Sequence, residues 1–349
     1  MESKNKKVLI GAAIIVLAVL GLSFSSADPS FSPHELVAKF KKAHTIESDG
    51  IMLTDKVSDF IKYKSGYVIG ERFRSTLLVL GNDLKPIRRI GSKGDGPNEL
   101  RNLGPLDVQD DNLVVTDRGH GRILVMTDEG VIKDEVKSEY FLRSLYNINV
   151  DDTKLMVSVA DEETPVRSFG IGSGATSNDN QEYFRQVSLD RNRVYARNGN
   201  KGFVLSQGDT YFYLPPTETT IDIRNKSFEL INSFDFGELD FLSHSKRRAN
   251  QIYQTVNNQT IQYFEDVTQD GNNLYLLAYA DELLPSGKYT RSLNHVIEVI
   301  FDENSQSLSQ GRIIKLKDDA SYSQIVVDNE KLLAFNYYDF TIDEYELEK

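Results

Sequence analysis

Five histidines are scattered along the chain, at His34, His44, His120, His244 and His295, and no two are spaced to share a metal. A helix-borne zinc site needs two imidazoles one turn apart, as in His-Glu-x-x-His, and that spacing does not occur. No Gly-x-Ser-x-Gly elbow is present to raise a serine nucleophile above a sheet. The chain has no cysteine, which removes thiolate catalysis, disulfides, cysteine-ligated metals and lipid-modified cysteine together. Asp110-Asp111-Asn112 and Asp151-Asp152 are rich in carboxylates, but neither continues into the full ligand set and closing Glu of a calcium loop. The sequence therefore names no catalytic residue, no metal ligand and no cofactor.

Positive charge does cluster. Arg72 and Arg74 fall in one turn, Arg118 and His120 in the corresponding turn of the next repeat, and Lys93 and Arg101 in the connector between them. In a chain of formal charge −12, a local group of cations attracts and orients an anion. Guanidinium forks grip carboxylates or phosphates through paired hydrogen bonds. These six are the candidate ligand-binding residues, with an anionic glycan or a carboxylate-bearing peptide as ligand. Glu71, Asp95, Glu99 and Asp117 lie beside them and offer the competing reading, salt bridges between loops. Arg122 stands at a strand start, where its aliphatic stem can simply pack. Net acidity argues against nucleic acid as a partner, which requires a basic surface.

The elements that must carry these residues are strands. Tyr and Phe are abundant, at 17 and 18, and short turns rich in Asp, Asn and Gly recur, each leading into an apolar run. The turns begin at Lys64, Asp110, Asp151, Gln207, Asp270 and Asp328, and the runs include Tyr67-Val68-Ile69, Leu113-Val114-Val115 and Leu332-Leu333-Ala334. A β repeat of roughly 40 to 50 residues predicts propeller blades of four strands, and the longer later steps need insertions. The clearest blade has strands Leu106 to Gln109, Leu113 to Thr116, Arg122 to Met126 and Val131 to Val136. The stretch from Ile90 to Leu100 holds Gly91, Gly94, Gly96 and Pro97, so it is a coiled connector between one blade and the next. No Lys-Ser/Thr pair follows those glycines, so it is not a phosphate-cradling loop.

Ile90-Gly91, Gly96-Pro97-Asn98-Glu99-Leu100, Val114-Val115-Thr116-Asp117, Arg122-Ile123 and Gly130 resemble the six-bladed, NHL-like β-propellers of exported bacterial proteins. The match is specific over about Ile87 to Val136 and thins to a plain blade pattern elsewhere. The resemblance implies an all-β, six-bladed propeller of four-stranded antiparallel blades with a surface-binding or sensing role, and it carries over no catalytic residue.

The N-terminus has an export pattern. Lys4, Lys6 and Lys7 precede an apolar run from Val8 to Leu22, and Ser25-Ser26-Ala27 offers small residues for cleavage. Residues 1–27 are read as a signal peptide or N-terminal anchor, and residues 28–56 as a segment that supplies a ring-closing strand. Residues 57–349 are read as the propeller. Pro33 to Lys42 predicts a short helix capped by Ser32, and Ile46 to Leu53 predicts the closing strand. The expected setting is the periplasm or cell envelope, with membrane contact only through an uncleaved anchor, and the expected state is a monomer.

In a propeller the connections from one blade to the next share a face with the turns between second and third strands. Here that face receives the long segments Gly91 to Pro105, Ala160 to Asn180, Glu238 to Tyr263 and Asp281 to Asn294. Within Glu238 to Tyr263, Phe241, Ala249, Ile252, Tyr253 and Val256 fall near helical spacing and predict a short inserted helix. The function expected is a binding or interaction module using this loop-rich face for a protein, peptide or glycan. The alternative is a metal-dependent lyase or lactonase with its site near the central axis. Three or more carboxylate, Asn or His side chains converging at the axis would favour the enzyme, and an axis closed by apolar groups the binding module.

Overall fold

The computed structural model describes residues 35–48, 51–53, 55–138, 141, 145–151, 154–159, 166–171, 180–182, 201–255 and 261–347. The second strand of each blade is apolar on both faces: Tyr67-Val68-Ile69, Leu113-Val114-Val115, Leu155-Met156-Val157, Tyr211-Phe212-Tyr213, Leu274-Tyr275-Leu276-Leu277 and Leu332-Leu333-Ala334-Phe335 are all buried. Only a strand sandwiched between two sheets buries both sets of its alternating side chains. Six such strands therefore imply six sheets packed face to face around a ring.

The ring forms as the repeats predict. Blade 1 is Val57–Tyr63, Gly66–Glu71, Thr76–Leu80 and Pro86–Ile90, and blade 2 is Leu103–Gln109, Asn112–Asp117, Arg122–Met126 and Ile132–Lys137. Blade 3 is Leu145–Asp151, Lys154–Val159, Val166–Gly170 and Asn180–Glu182, and blade 4 is Phe203–Gln207, Thr210–Leu214, Thr220–Asn225 and Leu230–Asp235. Blade 5 comprises Phe264–Asp270, Asn273–Leu283, Tyr289–Asp302 and Ser307–Lys315, and blade 6 comprises Tyr322–Asp328, Lys331–Asn336 and Thr341–Glu346. Within each blade, successive strands are antiparallel. The turn between first and second strands has two residues, and its first residue is left-handed at Lys64, Asp110, Gly208, Gly271 and Asn329. That conformation is what the Asp, Asn and Gly turn chemistry supplies.

Apolar side chains gather between neighbouring blades. Val68, Leu77 and Val79 of blade 1 meet Leu106, Leu113 and Val115 of blade 2. Ile69 and Leu78 on the other face of blade 1 meet Leu333, Phe335 and Ile342 of blade 6, which closes the circle. The largest such cluster lies between blades 4 and 5 and includes Leu242 and Ala249 of helix α1 (Asp240–Thr255). The inserted helix predicted from apolar spacing is therefore present, with Phe241, Ala249 and Ile252 of its stripe packed on the blades, while Val256 lies outside the described residues.

The closure itself differs from the sequence expectation. Lys39–Thr45, not Ile46 to Leu53, is the outer strand of blade 6, antiparallel to Thr341–Glu346. Glu35–Val37 runs parallel to Ser307–Lys315 as a fifth strand of blade 5. The helix expected from Pro33 to Lys42 is thus absent over its described part, because the unpaired edges of two blades offer backbone partners that outweigh a weak local preference. Lys41 pairs with Glu346, and His44 Nε2 meets Glu344 Oε2 at 2.7 Å, which pins the register. Ile46 to Leu53 instead folds back as Glu47–Ser48 against Ile51–Met52, and Ile46 and Leu53 are buried in the core between blades 6 and 1.

A second correction concerns the long segments. Asp281 to Asn294 is not an irregular loop but an extension of the hairpin in blade 5, paired as far as Leu283 with Tyr289. In Ala160 to Asn180, Val166–Gly170 is the third strand of blade 3, and most of the remainder lies outside the described residues.

Candidate functional site

The first strands of the blades line the axis. Near their starts the register slips, between Val57 and Asp59, between Leu145 and Asn147, between Phe264 and Asp266 and between Tyr322 and Gln324. Such a bulge re-aims the side chain that follows it. Asp59 Oδ2 accepts a hydrogen bond from the Leu106 N–H of blade 2 at 2.7 Å, and Asp107 Oδ2 accepts from Val150 N–H of blade 3 at 2.6 Å. Asn147 Oδ1 accepts from Val204 N–H of blade 4 at 2.8 Å, and Asp266 Oδ2 from Ile325 N–H of blade 6 at 2.7 Å. Polar groups therefore do converge at the axis, and each stitches one blade to a later one by capping an otherwise free backbone donor.

These carboxylates sit in a narrow, protein-walled channel. Burial pushes Asp59 up to about 6 and Asp107 up to about 7, against the lowering effect of their backbone hydrogen bonds. Asp266 rises well above the usual range, by burial first and then by the nearby charge of Asp59. All three side chains still touch the cavity lumen, so part of their hydration is retained.

The cavity measures about 530 Å³, and its lining runs the length of the first strands, from Lys56, Arg72 and Arg118 on the side of the long connections to Lys62 and Asp270 at the other end. Its mouth holds a different set of groups. Arg118 reaches from blade 2 to donate Nη2 to the Leu145 carbonyl of blade 3, and its Nε is buried without a hydrogen-bond acceptor. Gly104 makes that path possible: a Cβ there would stand 2.6 Å from Arg118 Nε. Burial, then repulsion from Arg72, draws Arg118 down to about 10. Arg72 Nε donates to Asn102 Oδ1 at 3.2 Å. Among the described residues, neither guanidinium has a carboxylate within ion-pairing distance.

Beside the lining residues Tyr146 and Glu265, Lys201 Nζ lies 4.5 Å from the centre of the Tyr146 ring, and burial lowers its pKa despite Glu265. Tyr279 donates to Glu265 Oε2 at 2.5 Å, and the Arg291 guanidinium covers the Tyr279 ring at 3.9 Å. Glu265 is held above the usual carboxylate range by burial, which outweighs that bond and the fields of Lys201, Arg291 and Lys56. The cations here have lost more hydration than the neighbouring carboxylates return to them, so an incoming anion would recover that deficit.

The six candidates named from sequence separate into two groups. Arg72 and Arg118 line the cavity. Arg101 Nη1 pairs with Asp95 at 2.9 Å, and His120 Nδ1 lies 2.7 Å from Asp117 and its Nε2 3.5 Å from Asp95. Arg74 lies 4.0 Å from the buried Glu71, and Lys93 is exposed on the connector. Arg122 is structural: it binds Asp117, Glu135 and the carbonyls of Pro97 and Glu99, which ties the connector to blade 2. Sequence reasoning missed Tyr146, Lys201, Glu265, Tyr279 and Arg291, which come from blades 3 and 5 and the segment before blade 4. Aligning the first strands would have exposed Tyr146-Asn147, Glu265-Asp266 and Ser323-Gln324 as equivalent pairs.

Among the described residues, no group of three or more His, Asp or Glu is placed to hold a metal, and no helix is long and apolar enough to cross a membrane. No curated protein matches the chain. Several solved structures share the fold. A protein of Bacteroides fragilis NCTC 9343, described as an exported-protein candidate, is 13% identical over 92% of this chain and 98% of its own, with TM-score 0.55. A member of the duf4221 family from Bacteroides vulgatus ATCC 8482 is 10% identical over 90% and 98%, with TM-score 0.54. Virginiamycin B lyase from Staphylococcus aureus is 12% identical over 89% and 100%, with TM-score 0.51. At these identities the likeness is one of fold. The sequence profile described as a 6-bladed beta-propeller, DUF5128, matches residues 46–326, and the chain belongs to that family.

Proposed function

We propose that this protein is an exported binding module that captures an anionic ligand at the loop-rich mouth of its channel. The observation that carries the reading is Arg118: a half-buried guanidinium lining the cavity, repelled by Arg72 more than it is drawn by Asp59, and without a carboxylate within ion-pairing distance among the described residues. Desolvated cations that remain unpaired are costly, and a carboxylate offering two oxygens would repay that cost. Arg72 and Arg118 are the primary ligand contacts, with Lys201 and Arg291 as further cations beside Glu265. Arg74, Lys93, Arg101 and His120 are assigned only to an outer rim, largely neutralised because Arg101 and His120 pair with Asp95 and Asp117. Export is supported by the basic, apolar and small-residue order of residues 4–27, and a periplasmic or envelope location follows from it.

Titration with citrate tests the site. Binding is expected to weaken as salt rises and to disappear in the Arg72→Gln/Arg118→Gln double variant, with melting unchanged. Unaltered citrate affinity in that variant would refute the reading. A second reading, a propeller lyase, is favoured by two features: Asp59, Asp107, Asn147 and Asp266 converge on the axis, although each is engaged with a backbone donor of a later blade, and Tyr279 and the elevated Glu265 share a short hydrogen bond beside Lys201, an arrangement able to move a proton. Turnover of a bound acidic ligand that is lost in Glu265→Gln, with binding retained, would establish it over simple capture.

A further inference from the structure

Above the cations, the same face carries exposed aromatic rings. The turn between the second and third strands of blade 6 presents Tyr337 and Tyr338, which are 40% and 65% exposed, with ring centroids 4.2 Å apart and planes 39° apart. The corresponding turn of the adjacent blade 1 presents Phe73, 60% exposed, with the Arg72 guanidinium 5.9 Å from its ring centre. Both turns are held in place. Tyr338 N–H donates to Asn336 Oδ1 at 3.1 Å and Tyr337 N–H to the Ser321 carbonyl at 3.2 Å. Asp55 Oδ2 accepts from Phe73 N–H at 2.8 Å and Arg74 N–H at 2.5 Å.

We propose that the mouth takes a glycan bearing carboxylates, its sugar rings stacked on Tyr337 and Tyr338 and its acid groups held by Arg72 and Arg118. This rests on the anion-binding reading above and adds the chemical class of the ligand. A pyranose presents a flat C–H face rimmed by hydroxyls, which matches an aromatic ring whose own hydroxyl stays in water. Rigid turns hold these rings before the ligand arrives, so little ordering cost opposes binding. Charge is complementary, since an acidic sugar polymer satisfies both the rings and the guanidinium groups.

An extended peptide is the less favoured occupant. Peptides commonly bind by adding a strand to a free sheet edge, and several backbone donors at the axis are already taken. Leu106, Val150, Val204 and Ile325 N–H each donate to a side chain of a preceding blade.

The test uses the full chain and three probes: a galacturonic acid oligomer, the same oligomer as its neutral methyl ester, and a glutamic acid oligomer of equal charge. The acidic glycan should bind more tightly than either of the others. Tyr337→Ala/Tyr338→Ala should weaken it by about tenfold while leaving citrate affinity unchanged, the effect of losing two ring contacts. Arg72→Gln/Arg118→Gln should abolish binding of the glycan and of citrate alike. If the arginine variant loses citrate but the tyrosine variant keeps full glycan affinity, the glycan assignment fails and the anion site stands. If the glutamic acid oligomer binds as well as the glycan, a peptide is the ligand class and the proposal is overturned. If citrate binding survives the arginine change, the anion site itself is wrong.

Discussion

Asp107→Asn is the substitution that most directly probes how the ring is stitched. Asp107 accepts from Val108 N–H at 2.8 Å and from Val150 N–H at 2.6 Å, and burial pushes it up to about 7 from the ordinary 3.8. Because its folded pKa lies above its unfolded one, folding favours the protonated form. Stability from this group is therefore fully present below about pH 4 and is lost as pH rises through about 7. Between pH 5 and 7 the full linkage slope would remove about 3 kcal/mol. The side chain still touches channel solvent, so the realised loss should be nearer 1 kcal/mol. Blade 3 already uses the neutral analogue, Asn147, for the equivalent contact to Val204. Asp107→Asn keeps an acceptor for Val150 N–H but turns its NH2 toward Val108 N–H, so it should fold, lie about 1 kcal/mol below the parent near pH 5 and flatten the decline towards pH 8. Asp107→Ala leaves two backbone donors unmatched and should cost about 2 to 4 kcal/mol at both pH values. Urea denaturation at pH 5, 6.5 and 8 measures all three proteins. A parent whose midpoint is level across that range, or an Asn variant as unstable as the Ala variant, would refute the reasoning.

Three further outcomes are expected. Arg89→Met should destabilise the fold by about 3 to 5 kcal/mol in chemical denaturation, because it strands the buried Glu71, which Arg89 grips at 2.6 and 2.9 Å. Deleting residues through Thr45 should leave Thr341–Glu346 as an open edge and produce concentration-dependent association by light scattering, since that strand loses its partner. N-terminal sequencing of the protein recovered outside the cytoplasm should begin after Ala27, whereas an intact Met1 in a membrane fraction would mean an anchor.

The number of blades, their strand order and the inserted helix were legible in the chain itself. Two-residue turns need left-handed backbone, so Asp, Asn and Gly mark them locally, and a strand buried on both faces must be apolar throughout. Arg72 and Arg118 were legible for a related reason: the repeat places both in equivalent turns on one face. Local rules could not choose the closing strand. Lys39–Thr45 reads as a polar segment with no strand pattern of its own, and it pairs only because a three-stranded blade leaves an edge beside it. Nor could they assemble the mouth. Tyr146, Lys201, Glu265, Tyr279 and Arg291 are far apart in sequence and belong to no motif, and their shifted protonation arises from shared burial at the channel. Burial is a property of the closed ring, so that part of the chemistry was decided by tertiary structure alone.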